Sequence, residues 1–223
     1  MPDGLINING DSVQTLEILF LTTIITLLPS LIVMMTSFTR YVISFSFLRS
    51  ALGTQQTPPN LVLIGIALFL TLFTMSPAIT QIQKEAYEPY VAEEITQEEF
   101  FSRAQVPLKE CMLRNTKPAT LEMFCDLAKT DAPERMDGAA AKALPLRILV
   151  PAFMTCELQR AFLIGLLLSI PFMLIDIVVS STLMSMGMIM LPPSIISMPF
   201  KLLLFVTVNG WELLFSSLVR GFN

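Results

Sequence analysis

The 223-residue sequence contains no histidine and has few charged residues for its length. Without histidine it cannot build a His-based catalytic triad or a His-ligated zinc or haem site, and it lacks the commonest general base. Charged residues make up 14% of the chain, whereas an ordinary soluble domain has about 25%. Hydrophobic residues make up 53%. These deficits exclude much of enzymology and indicate that water is not the main environment of the protein.

The basic residues are too few and too scattered for a nucleic-acid interface. The net charge is -4, and binding to a phosphate backbone depends on clustered Lys and Arg that release counterions. The sequence also has no phosphate-binding loop of the G-x-x-x-x-G-K-[ST] kind. We therefore expect no nucleic-acid partner, no cofactor, no metal site and no catalytic residue.

Charged residues concentrate in the middle of the chain, between Lys84 and Arg147, which holds twelve of the 18 acidic and nine of the 14 basic residues. The blocks on either side contain four long apolar runs. The first two are uncharged and close to the roughly 20 residues that cross a bilayer as a helix. The runs are Ile18 to Phe38, Leu61 to Ile79, Ala161 to Met190 with Asp176 inside it, and Ile195 to Val219 with Lys201 and Glu212 inside it.

This pattern predicts an all-α membrane protein with four long apolar helices, kinked and arranged as two hairpins. We divide the chain into residues 1–83, an N-terminal segment with the first hairpin; residues 84–147, an α-helical extracytoplasmic insert; and residues 148–223, the second hairpin with a methionine-rich loop. A very apolar core of a large soluble protein is the disfavoured alternative, because uncharged runs of this length are rarely tolerated in water.

Arginine placement predicts the orientation in the membrane. Thr39 to Asn60, between the first two runs, contains Arg40 and Arg49 and no acidic residue, whereas the stretch before Ile18 contains acids and no base. The positive-inside rule places this loop in the cytoplasm. The N-terminus, the insert and the C-terminus would then lie on the outer, periplasmic side. No cleavable signal-peptide pattern is visible before the first run.

The insert carries a helix-start signal and two cysteines. Thr96 and Glu99 fit a capping box, which predicts a helix from about residue 97 to 114, and Pro118 opens a second, shorter helical pattern. Cys111 and Cys125 would both face an oxidising compartment. They form either a disulfide between the two helices or two free buried thiols, and the sequence leaves both alternatives open.

A few charges interrupt the last apolar block, and charges in membrane spans are costly. Glu157 and Arg160 are three residues apart and are close enough to pair on one helix. Asp176 has no such neighbour, and Lys201 on the following helix is its nearest candidate partner. These groups either form an intramembrane proton or ion site, or fix the contacts between helices or subunits. We favour the second interpretation, because buried pairs more often specify geometry than chemistry.

Methionines cluster between the last two apolar runs. Unbranched, polarizable side chains of this kind can close around an irregular chain, but they also fill gaps in helix bundles. Composition alone favours gap filling over a deformable seal. The cluster comprises Met184, Met186, Met188 and Met190, which surround Gly187 and precede Pro192 and Pro193.

Residues 34 to 77 begin MMTSFTRYVISF, and residues 144 to 211 include CELQRAF, MGMIMLPPS and PFKLLLFVTVNGW. These two long blocks resemble the first conserved block and the C-terminal signature of the FliP family. Its members are flagellar type III export-gate proteins, and their injectisome counterparts are called SctR. Glu157, Asp176 and Lys201 match charged positions of the family. Cys156 stands where Ser is usual, and Asn209 where Asp is usual.

The resemblance implies a transport role without catalysis. FliP-like proteins form a pentamer with FliQ and FliR in the flagellar basal body of the bacterial inner membrane, where FlhB and FlhA are expected neighbours. Unfolded rod, hook and filament proteins pass through this assembly. The family's methionine gasket maps to Gly187, Met188, Ile189 and Met190 with Met186 beside them, which shifts the choice toward a seal. Ile189 stands where the family commonly has methionine. The alternative function is a small proton-coupled transporter that uses Glu157 and Asp176.

Overall fold

The computed structural model describes residues 7–8, 11–12, 15–54, 56–133, 136–188 and 190–222. A two-residue antiparallel pair, β1 and β2, precedes a chain that is otherwise helical where it is described. The elements are β1 (Asn7–Ile8), β2 (Asp11–Ser12), α1 (Thr15–Met34), α2 (Phe38–Leu52), α3 (Asn60–Ile82), a π-helical segment (Gln83–Tyr87), α4 (Glu88–Val91), α5 (Gln97–Arg114), α6 (Pro118–Leu127), α7 (Gly138–Ala143), α8 (Leu146–Ser185), α9 (Pro193–Thr207) and α10 (Gly210–Arg220).

Two long rods dominate the architecture. Helix α3 continues through the π-helical segment into α4 as one 32-residue helix, and α8 runs for 40 residues. At 1.5 Å per residue α8 is about 60 Å long, roughly twice the thickness of the hydrocarbon core of a bilayer. Pro151 and Pro171 lie inside α8 without ending it.

The all-helical membrane character is confirmed, but the four spans in two hairpins are not. Among the described residues, two helices are long and apolar enough to cross a membrane, Asn60–Val91 and Leu146–Ser185. A third span exists only if α9 and α10 count as one, and these helices meet at a 64° bend. The bend lies at Asn209, which has a left-handed backbone with φ of 51°, a conformation that Asn tolerates better than most residues.

The segment predicted to be a loop is largely a helix, so the loop prediction is wrong. Helix α2 occupies Phe38–Leu52, and the buried side chains of Tyr41, Phe45 and Leu48 follow helical spacing along one face. They pack against α8. Intervening serines and arginines lower the average hydropathy and hide this face. Arg40 is one of the two arginines on which the predicted orientation rests, and it is 1% exposed. The sidedness of the termini stays a prediction.

Helices α5 and α6 of the insert begin where the sequence predicts, and α5 also ends there. Helix α5 spans Gln97–Arg114, and both reciprocal hydrogen bonds of the Thr96 and Glu99 capping box are present. Helix α6 begins at Pro118. The insert shares one core with α3 and the start of α8, through Met112, Leu121 and Phe153 among others. Residue 84, our predicted domain boundary, lies inside a continuous helix, and the division into domains remains a prediction.

The three cysteines are free thiols in the structure. The Cys111 Sγ lies 3.7 Å from the Met75 Sδ, and the Cys156 Sγ accepts a hydrogen bond from the backbone N–H of Lys117 at 3.3 Å. Burial raises the pKa of the Cys111 and Cys125 thiols. Of the two alternatives that the sequence left open, the structure contains the free thiols.

A second core cluster joins α2 to the bent pair. It packs α2, α3, α8, α9 and α10 together, and its aromatic members include Tyr41, Phe45, Phe172 and Phe205. Gly210 makes this possible, because a Cβ at that position would lie 2.2 Å from the Phe205 ring. The bent pair therefore packs on α2, α3 and α8.

Candidate functional site

Two backbone devices define the loop between α8 and α9. Gly187 has φ of +75°, and the backbone N–H of Met188 donates to the Leu183 carbonyl while that of Gly187 donates to the Met184 carbonyl, both at 3.0 Å. This is a Schellman C-cap, which requires a left-handed residue at its turn. Helix α9 then begins at Pro193, with Pro192 as its N-cap, because proline suits the first helical position.

The loop presents methionine side chains to the surroundings. Met190 is 98% exposed, Met186 is 65% exposed and Met184 is 68% exposed, while Met188 is half-buried. Ile189 lies outside the described residues. Met186 and Met190, in the loop itself, bury little of their surface within this chain, so most of their surface is free to contact other chains.

The predicted partner of Asp176 is confirmed. The Lys201 Nζ lies 2.6 Å from the Asp176 Oδ2, and the Ser197 hydroxyl donates to the Oδ1 at 2.6 Å. The Lys201 ammonium also donates to the Ala51 carbonyl at 3.1 Å and is largely buried. One lysine thus joins α9 to both α8 and α2.

Glu157 is fully buried, unlike Asp176, and it has a partner that sequence reasoning missed. Its carboxylate accepts a hydrogen bond from the Arg40 Nε at 2.6 Å and a second one from the Arg40 Nη2. The predicted neighbour Arg160 also contacts it, at 3.2 Å, and reaches the Asn115 side chain at 3.3 Å. The main ion pair therefore joins α8 to α2 and is not confined to one helix.

The sequence pattern predicts a loop around Arg40, and a loop arginine is not expected to pair with a buried acid. The available signal was the position of Arg40 next to Tyr41, on a helical stripe continued by Phe45 and Leu48. A base on the edge of a buried stripe needs an acid on the helix that covers the stripe. Glu157 was the only acidic residue in the apolar part of α8 before Asp176.

The two acids do not form one site. Glu157 and Asp176 are 19 residues apart on the same helix, which separates them by about 28 Å. Each is held by its own base. Among the described residues, no group of three His, Cys, Asp or Glu side chains is placed to bind a metal ion. The arrangement joins helices in two places and leaves an apolar, methionine-lined loop at one end.

Comparisons with known proteins agree with the sequence resemblance. The model of the FliP family matches residues 21–218. The chain is 49% identical to the flagellar biosynthetic protein FliP of Aquifex aeolicus over 214 residues, which cover 96% of this chain and 88% of that protein. It is 48% identical to the protein of the same name from Bacillus subtilis, with 94% and 92% coverage. It is 50% identical to that of Pectobacterium carotovorum, with 95% and 79% coverage. This chain therefore belongs to the FliP family.

Proposed function

We propose that this chain is a core subunit of the flagellar type III protein export gate. Five copies associate with FliQ and FliR, next to FlhB and FlhA, and form a channel that passes unfolded rod, hook and filament proteins across the inner membrane. The chain performs no catalysis. The proposal rests on family membership together with the form of the α8–α9 loop.

One observation carries the gate assignment. Met186 and Met190 project from the tip of a hairpin that the Gly187 cap and the Pro192–Pro193 start hold in a defined shape. When copies bring these loops to a common axis, the thioethers seal the path against ions. An extended substrate chain displaces them, because unbranched side chains repack without a fixed complementary shape.

Replacing Met188 and Met190 by Ala tests the seal. The closed complex should leak ions while its assembly stays intact, because Met190 is exposed and Met188 is only half-buried, so truncation removes few contacts within the chain. Membrane conductance of cells or vesicles that contain the complex measures the leak. Met123→Ala is the matched control, since Met123 is also exposed but lies on α6. Unchanged conductance in the Met188 and Met190 variant would contradict the gasket.

The alternative, a small proton-coupled transporter, has less support. It needs Glu157 and Asp176 near one midplane site, whereas they lie about 28 Å apart on α8 and each is paired with a base. The mass of the detergent-extracted complex separates the two functions. A pentamer with FliQ and FliR bound supports the gate, and an isolated chain that moves a small solute supports the transporter.

A further inference from the structure

The two residues after α10 fold back onto a buried arginine. The Arg40 Nη1 donates a hydrogen bond to the Gly221 carbonyl at 2.7 Å, and the guanidinium carbon lies 4.9 Å from the centroid of the Phe222 ring. Phe222 is 3% exposed and belongs to the core shared by α3, α5 and α8. An aromatic ring at this distance attracts a cation through its negative face.

The guanidinium needs these contacts because it is buried. Glu157 engages the Nε and Nη2 edge of Arg40, which leaves the Nη1 group facing away from the carboxylate. A buried charged group with an unsatisfied donor is costly. The Gly221 carbonyl accepts from that nitrogen, and the Phe222 ring covers the cation. The pair is thereby enclosed by the end of α10.

The same contacts give the bent helix pair a second anchor. Lys201 fixes α9 to Asp176 of α8 and to the Ala51 carbonyl of α2. Gly221 and Phe222 fix the end of α10 to Arg40 of α2, which itself pairs with α8. Both arms of the 64° bend are therefore attached to the same two helices, at points eleven residues apart on α2.

We propose that Phe222 is a positioning residue for the Arg40–Glu157 pair and that, with the Gly221 carbonyl, it clamps α10 onto α2 and α8. The role is independent of the gate, since it depends on contacts within one chain. It acts through the aromatic face and not through apolar volume alone. Leucine at this position keeps most of the volume and loses the face.

Thermal unfolding of the purified full chain in detergent, followed by tryptophan fluorescence, tests the clamp. Trp211 is the only tryptophan, and it lies on α10 between Phe205 and Phe215, with ring centroids at 5.2 and 5.6 Å. Phe222→Leu should lower the Tm by about 5 °C. Phe222→Tyr keeps the aromatic face and should leave the Tm close to that of the unmodified chain. Phe69→Leu is the matched control, because Phe69 is 77% exposed on α3, and it should leave the Tm unchanged.

A double-mutant cycle with Arg40→Met separates positioning from packing. Methionine keeps an unbranched side chain but removes the cation that the Phe222 ring covers, so Phe222→Leu should add little further loss in that background. The proposal would be overturned if Phe222→Leu lowered the Tm equally in both backgrounds. It would also be overturned if Phe222→Ala lowered the Tm but Phe222→Leu did not, or if Phe222→Tyr lowered the Tm as much as Phe222→Leu. If a variant does not accumulate, Phe222→Met can replace Phe222→Leu, and Glu157→Gln can replace the change at Arg40.

Discussion

At the residue scale, the chain depends on a few positions where one side chain serves two or three helices. Arg40 holds Glu157 and Gly221, and Lys201 holds Asp176 and Ala51. Gly187 has a different role, because its left-handed backbone ends α8 and begins the loop to α9. Such positions tolerate little change, because each replacement removes several contacts at once.

Gly187→Ala should destabilise the protein by about 1 kcal/mol, because the left-handed conformation is strained for a residue with a Cβ. Nothing lies within 4 Å of that Cβ, so the cost is conformational and not steric. Gly65→Ala is the matched control, since its Cβ also meets open space but its backbone is helical. Thermal unfolding in detergent should show a loss for the first variant and none for the second. Equal behaviour would argue against the strain.

Asp176→Asn should destabilise the chain by about 1–3 kcal/mol, because the largely buried Lys201 ammonium loses its counter-charge. The double variant Asp176→Asn with Lys201→Met should recover most of that loss, since no unpaired cation remains. Unfolding measurements give the coupling, and motility reports export in cells. If the pair is structural, export should fall only as the amount of assembled complex falls. Normal assembly without export would instead make the pair part of the mechanism.

At the element scale, local sequence signals specify where some helices begin, whereas other helices depend on tertiary contacts. Helix α5 begins at a capping box, and α6 begins at Pro118. Helix α2 has no side-chain cap hydrogen bond, and its N-cap, Ser37, instead bonds the Thr74 hydroxyl at 2.8 Å. The insert helices are therefore specified close to their own sequence, whereas α2 depends on α3 and α8.

Thr96→Ala should destabilise the insert by about 1 kcal/mol, because it removes the acceptor for the Glu99 N–H at the start of α5. Thr96→Ser keeps a hydroxyl and should restore most of the stability. Amide hydrogen exchange in the first turn of α5 measures the effect locally, and exchange in α8 serves as the internal reference. No change in α5 exchange on Thr96→Ala would show that tertiary packing alone holds this end.

At the scale of the whole molecule, the helices pack into two hydrophobic cores, and each core contains residues from distant parts of the sequence. One core joins the insert to the end of α3 and the start of α8, and the other joins α2 to the bent α9–α10 pair. Helix α8 contributes to both, so one continuous helix connects the insert to the end that carries the methionine loop. Much of its apolar surface is exposed in the single chain, which is expected when lipid and neighbouring chains cover it.

Thiol counting tests the first core, where two of the cysteines lie. Under denaturing conditions without reductant we expect three reactive thiols, because the structure contains no bridge among Cys111, Cys125 and Cys156. In the folded chain at neutral pH, alkylation of Cys111 and Cys125 should be slow, since burial and a raised pKa both reduce the thiolate population. One reactive thiol before reduction and three after it would establish a disulfide between Cys111 and Cys125.

The sequence by itself determined the helical class, the apolar blocks, helices α5 and α6 of the insert, and the family. Each of these follows from composition, from a signal within a few residues or from a long local match. It also predicted the Asp176–Lys201 pair, because both charges stood alone in apolar runs. The fourth apolar run predicted a single helix, and its bend at Asn209 was not foreseen.

Only the tertiary structure decided that residues 38 to 52 form a buried helix, that Arg40 pairs with Glu157, and that Phe222 closes over the pair. The physical reason is sequence separation. Arg40 and Glu157 are 117 residues apart, and Arg40 and Gly221 are 181 residues apart. A buried charge selects its partner from whatever the packed helices bring within hydrogen-bonding distance, and no local pattern records that choice.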